Sequence, residues 1–166
     1  MLYQQHAPCI HRFVCDLLGD RALAADATQE TFVRAFRRIS ELDDRSHLPA
    51  WLFGIARNVS RELRKARFRA GRTFVAEAGE LDPAAPRYGT PEAALLDREA
   101  AGVLGAALAR LSEDRRAVLL LRMDHGLAYE QIAETMGWTL AKVKVELFRA
   151  REQLRAALEA YEGGAR

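Results

Sequence analysis

Cysteine is scarce: Cys9 and Cys15 are the only two in 166 residues, too few for a disulfide framework or a four-ligand zinc pattern. His11 and Cys15 stand four apart, with His6 nearby, so a ligand pair on one helix is conceivable. No second pair occurs elsewhere at zinc spacing, and both thiols are expected as buried structural side chains. No apolar run approaches the roughly 20 residues that cross a bilayer, and the first residues do not resemble a signal peptide. The expected setting is therefore the cytoplasm, without membrane insertion. Catalytic signatures are missing too: there is no Gly-rich phosphate loop, no serine nucleophile elbow and no His-Glu-x-x-His. Acids and histidines are scattered over polar helix faces, so no catalytic residue, metal or cofactor is expected.

What the chain does have is alanine and arginine in abundance, a composition that favours helix. Its net charge is only +2, which argues against indiscriminate polyanion binding. The charge is unevenly spread, however. Seven basic residues and one acid, Glu62, lie between Arg57 and Arg72. Basic residues gather again from Lys142 to Arg155, while acids sit between Glu77 and Asp82 and at Glu113, Asp114, Glu130 and Glu134. Two separated basic patches mark two places where nucleic acid can be held.

The first patch belongs to a predicted helix from Leu48 to Arg69, opened by Pro49, whose missing N–H is not needed at a helix start. Leu48, Leu52, Ile55, Val59, Leu63 and Ala66 recur at steps of three and four and form an inward stripe. Trp51, Gly54, Asn58, Arg61 and Lys65 share the opposite face, with Arg57 and Arg64 beside them. An aromatic ring, an amide and a row of cations on one rod offer both charge and a stacking surface to a polyanion of flat bases.

Before this helix, Leu2 to Leu18 reads as a helix burying Leu2, Ile10, Phe13, Val14, Leu17 and Leu18. Pro8 is expected to interrupt it, so that its regular part starts near Cys9, and Gly19-Asp20 ends it. A second helix, Ala22 to Ile39, turns Leu23, Ala27, Phe32, Ala35, Phe36 and Ile39 inward and Asp26, Gln29, Glu30 and Arg34 outward. Asp43 to His47 is a polar loop. From Ala70 to Pro91 the periodicity lapses among Gly71, Gly79, Pro83, Pro86 and Gly89, a long linker in which Phe74, Val75 and Tyr88 are apolar enough to dock. Thr90-Pro91-Glu92 opens the next helix, which runs to Leu111 through Leu95, Leu96, Val103, Leu104 and Leu108. Ser112 caps a helix from Glu113 to Asp124 with Ala117, Val118, Leu120 and Leu121 as core. Gly126 ends it. A short helix, Tyr129 to Met136, then turns through Gly137-Trp138-Thr139 into a last helix from Leu140 to about Tyr161.

That last pair has helix-turn-helix form. Small Ala133 suits the crossing point, Gly137 suits a left-handed turn, and Ile132, Met136, Val143 and Leu147 form a shared apolar wedge. The second helix of such a unit can enter a major groove with its N-terminal residues against base edges.

A basic, tryptophan-bearing helix followed, past a linker, by a helix-turn-helix resembles the extracytoplasmic-function sigma factors of bacterial RNA polymerase. Family signatures occur in order: Gly19-Asp20-Arg21, Asp26-Ala27-Thr28-Gln29-Glu30-Thr31-Phe32, and Trp51-Leu52-x-x-Ile55-Ala56-Arg57-Asn58. Leu111 to Arg116, Gly126 to Ala133 and Arg149-Ala150-Arg151 follow. The resemblance spans nearly the whole chain. It implies an all-α protein of two small helical domains, a region 2-like bundle at 1–70 and a region 4-like helix-turn-helix domain at 92–166, joined by a flexible linker at 71–91.

The resemblance also implies the partners. Core RNA polymerase would dock through Asp26, Gln29, Glu30 and Phe32. The single-stranded −10 element would be opened and held by Ser46, Trp51, Arg57, Asn58, Arg61, Arg64 and Lys65, with Asn58 at the pocket for a flipped-out base. The duplex −35 element would meet Tyr129, Lys142, Lys144, Arg149 and Arg151. A monomer held in check by an anti-sigma factor is the family habit. The chain departs from the pattern in three places. It begins almost at the first family helix, its 43–49 loop lacks the aromatic or glycine often found before the serine, and Val145 and Glu146 replace a hydroxyl and a cation in the recognition helix. Two other readings compete: a stand-alone dimeric helix-turn-helix regulator, and an adaptor that mimics a sigma factor to titrate its inhibitor.

Overall fold

The computed structural model describes residues 1–71 and 91–164, with side chains from residue 99 onward in the second stretch. The chain forms α1 (Leu2–Leu18), α2 (Arg21–Arg38), short 3-10 turns at Ile39–Glu41 and Arg45–His47, and α3 (Leu48–Arg69). It continues with α4 (Pro91–Ala109), α5 (Glu113–Met123), α6 (Tyr129–Met136) and α7 (Leu140–Gly164). Among the described residues there is no strand. The expected linker falls almost wholly at 72–90, so Phe74, Val75, Tyr88 and the Thr90 cap lie outside the described residues.

In the first bundle, Ile10, Phe13, Val14, Leu17 and Leu18 of α1 are buried with Ala24, Ala27, Phe32 and Ala35 of α2 and with Leu52, Phe53, Ile55, Ala56 and Val59 of α3. Each large apolar side chain fully withdrawn from water contributes roughly 1.5–3 kcal/mol. That packing explains Pro8, which lies inside a continuous α1 rather than breaking it. An interior proline costs about 3 kcal/mol, less than the burial of Ile10, Phe13, Val14, Leu17 and Leu18 contributes to the same helix. Gly19 closes α1 with φ 66°, and Asp20 at once caps α2 by accepting from the Leu23 N–H at 2.9 Å. That N–H and the Arg67 guanidinium hold the Asp20 carboxyl below the ordinary carboxylate range.

Phe36 and Ile39, expected inward, are exposed, Phe36 by 56%. The buried arc of α2 is centred on Ala24, Thr31 and Ala35, which leaves Phe36 on its shoulder and Ile39 beyond the last helical turn. Cys9 is exposed and Cys15 only half-buried, because position 9 falls outside the arc of Ile10, Phe13 and Leu17. His11 Nε2 lies 3.4 Å from Cys15 Sγ. No group of three or more potential metal ligands assembles among the described residues.

In the second bundle, Leu108 and Leu111 share a core with Ala117, Val118, Leu120 and Leu121 of α5, Ile132 and Met136 of α6, and Val143, Leu147 and Ala150 of α7. Gly137, at φ 65°, makes the turn from α6 to α7 in a conformation that side-chain-bearing residues resist. Arg116 joins the two bundles. It donates to the carbonyls of Leu108, Ala109 and Leu111 near the end of α4 and, at 2.9 Å, to Leu17 O at the end of α1. Helix C-termini carry unpaired carbonyls and partial negative charge, so one half-buried cation serves both ends.

Candidate nucleic-acid interfaces and the seam between them

The bundles meet along a seam in which α1 and α3 face α5 and α6. Phe13 stands edge-on to Phe53 at 5.2 Å, and His125, in the turn after α5, packs against both rings at 5.7 and 4.9 Å. Arg12 donates to Asp124 at 2.7 Å. Thr135 of α6 donates to Ala50 O of α3 at 3.0 Å, and His47 Nδ1 lies 2.8 Å from Glu134 Oε2. The backbones of α3 and α6 come close at Gly54, where a Cβ would sit 3.4 Å from Thr135 O.

This seam changes the reading of the α3 face. Asn58 and Lys65 are exposed and Trp51 is half-buried, resting on the core. Gly54, expected outward, is covered by α6. Arg57 departs furthest from a solvent-facing cation: its side chain is 7% exposed and donates to Asp114 Oδ1 at 2.7 Å. Arg61 lies 3.7 Å from the same carboxylate, and Arg64 donates to Glu113 at 2.7 Å and to Leu17 O at 2.9 Å. Glu113 and Asp114 open α5, whose cap Ser112 accepts from Arg115 N–H. Acids are favoured in a first helical turn by the helix dipole, so the end of α5 brings two carboxylates against three cations of α3. Ser46 is exposed, and its N–H and Oγ donate to the Asp44 carboxylate at 2.8 and 2.7 Å.

The second candidate surface is the outer arc of α7. Lys142, Lys144, Arg149 and Arg151 are exposed there, with Lys142 Nζ 4.1 Å above the Trp138 ring. Tyr129 is half-buried, its ring under the Arg122 guanidinium. Glu146 does not join this surface. Its carboxylate, 17% exposed, accepts from Arg115 of α5 at 2.8 Å and from Arg149 at 3.0 Å, and those cations hold its pKa down.

On α2, Asp26 and Gln29 are exposed, while Glu30 is bonded by Arg34, which also forks onto Glu62 of α3. Phe32 is not on this surface: it is buried, edge-on to Tyr3 at 4.9 Å. The exposed stripe at spacings of three and four is instead Asp26, Gln29, Val33 and Phe36. Sequence periodicity missed Val33 and Phe36 because a phenylalanine beside an apolar stripe reads as part of it.

Two histidines make the seam sensitive to pH in opposite senses. Burial lowers the His125 pKa from its ordinary 6.5, against a pull upward from Asp124 and with a small push down from Arg12. A packed, neutral His125 therefore supports the seam above pH 6.5. That support is lost as pH falls through the lowered value, since the separated form takes the proton first. His47 runs the other way, because Glu134 and then Asp44 raise its pKa. Its contribution is complete below pH 6.5 and lost as pH rises through the raised value. Protection from hydrogen exchange across α3 and α5, relative to the intrinsic rate at each pH, is expected to fall from pH 7 to pH 5.5 in His47→Ala. That loss of protection at the low-pH end disappears in His125→Asn; an unchanged profile there would remove His125 from the account.

Residues 2–69 match the family model described as Sigma-70 region 2, and residues 101–154 match Sigma-70, region 4. The ECF RNA polymerase sigma factor SigL of Mycobacterium tuberculosis is 36% identical over 162 residues, which are 95% of this chain and 87% of that protein. The RNA polymerase sigma-H factor of Pseudomonas aeruginosa is 34% identical over 145 residues, 84% of this chain and 75% of that one. Among solved structures, the sigma factor RpoE in complex with the anti-sigma factor NepR from Bartonella quintana superposes with a TM-score of 0.76 at 25% identity, over 95% of this chain and 94% of that one. CnrH in complex with the cytosolic domain of CnrY gives 0.67 at 23% identity, over 96% and 86%, a likeness of fold alone.

Proposed function

The chain belongs to the extracytoplasmic-function sigma factors of bacterial RNA polymerase, and from that we propose how its surfaces divide the work of promoter recognition. It is a non-enzymatic specificity subunit that directs core polymerase to promoters, and so works in the cytoplasm. The observation that carries this is the order of the two matched regions, 2–69 before 101–154, on one chain.

Region 2 supplies the −10 reader. Trp51 offers a ring to an unstacked base, Asn58 an amide to its edge, and Ser46, Arg61, Arg64 and Lys65 contacts to the strand. Extruding a base costs a few kcal/mol, which stacking and phosphate contacts must recover. Arg57 joins them, and Arg61 and Arg64 are released from Asp114 and Glu113, when the seam parts. Parting is also a geometric requirement. Elements about 25 base pairs apart lie on the order of 80 Å from each other at 3.4 Å per base pair, whereas α3 and α6 here touch. Asp26, Gln29, Val33 and Phe36 form the polymerase-facing stripe, with Glu30 freed when Arg34 turns fully to Glu62. An anti-sigma factor is an expected partner, since RpoE is solved with one.

Run-off transcription tests the function. Core polymerase with this chain, supplied with the DNA upstream of its own coding sequence, is expected to give one discrete start that neither component gives alone. A duplex shift by the free chain at half-site spacing, with no start under any pairing, favours the stand-alone regulator.

A further inference from the structure

We propose that Val145 reads the −35 element by packing its γ-methyls against the C5-methyl of a thymine. This rests on the reading that α7 enters the major groove. Val145 is the sixth residue of α7 and is 46% exposed, on the same arc as Ala141 and the 65%-exposed Phe148. Lys142 and Arg149 flank this strip on one side and Lys144 and Arg151 on the other, all exposed. Cations along both edges of an apolar strip suit two phosphate backbones with base edges between them, and that complementarity selects duplex DNA over an apolar protein surface as the occupant. Glu152, farther along the same arc, is bonded by Arg155 at 2.7 Å.

Valine carries no donor or acceptor. A base nitrogen or oxygen pressed against it loses its water without a partner, whereas the thymine methyl is the apolar group of the major groove. The neighbouring acid does not compete. Glu146 would suit a cytosine amine, but Arg115 and Arg149 hold it toward α5. The cations thus set how tightly the duplex is held, and Val145 sets which base is accepted beneath it.

The test uses holoenzyme, core polymerase with the full chain. A −35 sequence is first selected from a library randomised there. Each thymine of the selected duplex is then replaced by deoxyuridine, which removes the methyl alone. One replacement is expected to weaken wild-type binding about threefold to fivefold, the worth of one buried methyl. The same replacement changes binding by the Val145→Ala holoenzyme less than twofold. A selected element without thymine, replacements that cost nothing, or equal losses in wild type and Val145→Ala overturn the proposal. So does a Val145→Ala defect in core polymerase binding that ignores the −35 sequence, which makes the strip a protein contact. Lys142→Ala with Lys144→Ala keeps the two readings apart, since it should flatten the salt slope by about two, near one per phosphate released. An unchanged slope removes the groove reading itself, and the proposal with it.

Discussion

Replacing Trp51 and Asn58 together with alanine is expected to slow promoter opening by about 30-fold or more while polymerase binding stays within about twofold. Stacking of one base on an aromatic is worth about 1–3 kcal/mol by alanine replacement, and leaving a buried hydrogen-bonding group unpaired costs a similar amount. Their lower bounds sum to about 2 kcal/mol, near 30-fold. Asn58 is exposed and makes no side-chain hydrogen bond among those the structure shows, so its removal should leave thermal stability unchanged. Trp51 rests on the core, so its loss also removes packing, and Trp51→Tyr separates the two effects by restoring a ring. The readout is permanganate reactivity of unpaired thymines at the −10 element. Normal reactivity in the double variant, with holoenzyme formed, removes both residues from strand capture.

The fold was legible because it is made of local signals. Eight of the twelve apolar positions that periodicity assigns to α1 and α3, Ile10, Phe13, Val14, Leu17, Leu18, Leu52, Ile55 and Val59, are buried, and only Ala66 is exposed. Gly19, Ser112 and Gly137 mark helix ends by chemistry that acts within four residues. Pro8 was misread for the same reason. A local cost can be weighed from sequence, but the long-range packing that outweighs it cannot.

The candidate site was legible in residue type and illegible in state. Nothing near Arg57 in sequence announces that Asp114, 57 residues on, takes its guanidinium, because pairing across a seam depends on how two bundles dock. Glu146 illustrates the reverse. Sequence places an acid on a DNA-reading helix, where it would repel phosphate, and Arg115 from another helix turns it inward. Phe32 and Phe36 lie four residues apart, about 40° around α2, and that rotation carries the side chain from the edge of the core to the surface.

Gly54→Leu is expected to separate the bundles, whereas Gly54→Ala is not. An alanine Cβ would meet Thr135 O at 3.4 Å and its Cα at 3.9 Å, ordinary contact. Leucine adds three carbons against the backbone of α6, and overpacking of this kind costs about 1–3 kcal/mol. The seam has little reserve against it. Arg57 Nε, Glu113 Oε1 and His125 Nε2 are all buried there without hydrogen-bond partners, each carrying a desolvation cost of about 1–3 kcal/mol. The ratio of separated to docked chains should therefore rise between about fivefold and 150-fold. Small-angle scattering will show it as a larger radius of gyration, and the free chain's affinity for a single-stranded −10 oligonucleotide will rise with it. Because Gly54 lies on the proposed DNA face, Thr135→Leu repeats the clash from α6 without touching α3. If both variants scatter as the wild type does, the seam is no barrier. If they separate yet bind the oligonucleotide no better, Glu113 and Asp114 are not what keeps the cations of α3 from DNA.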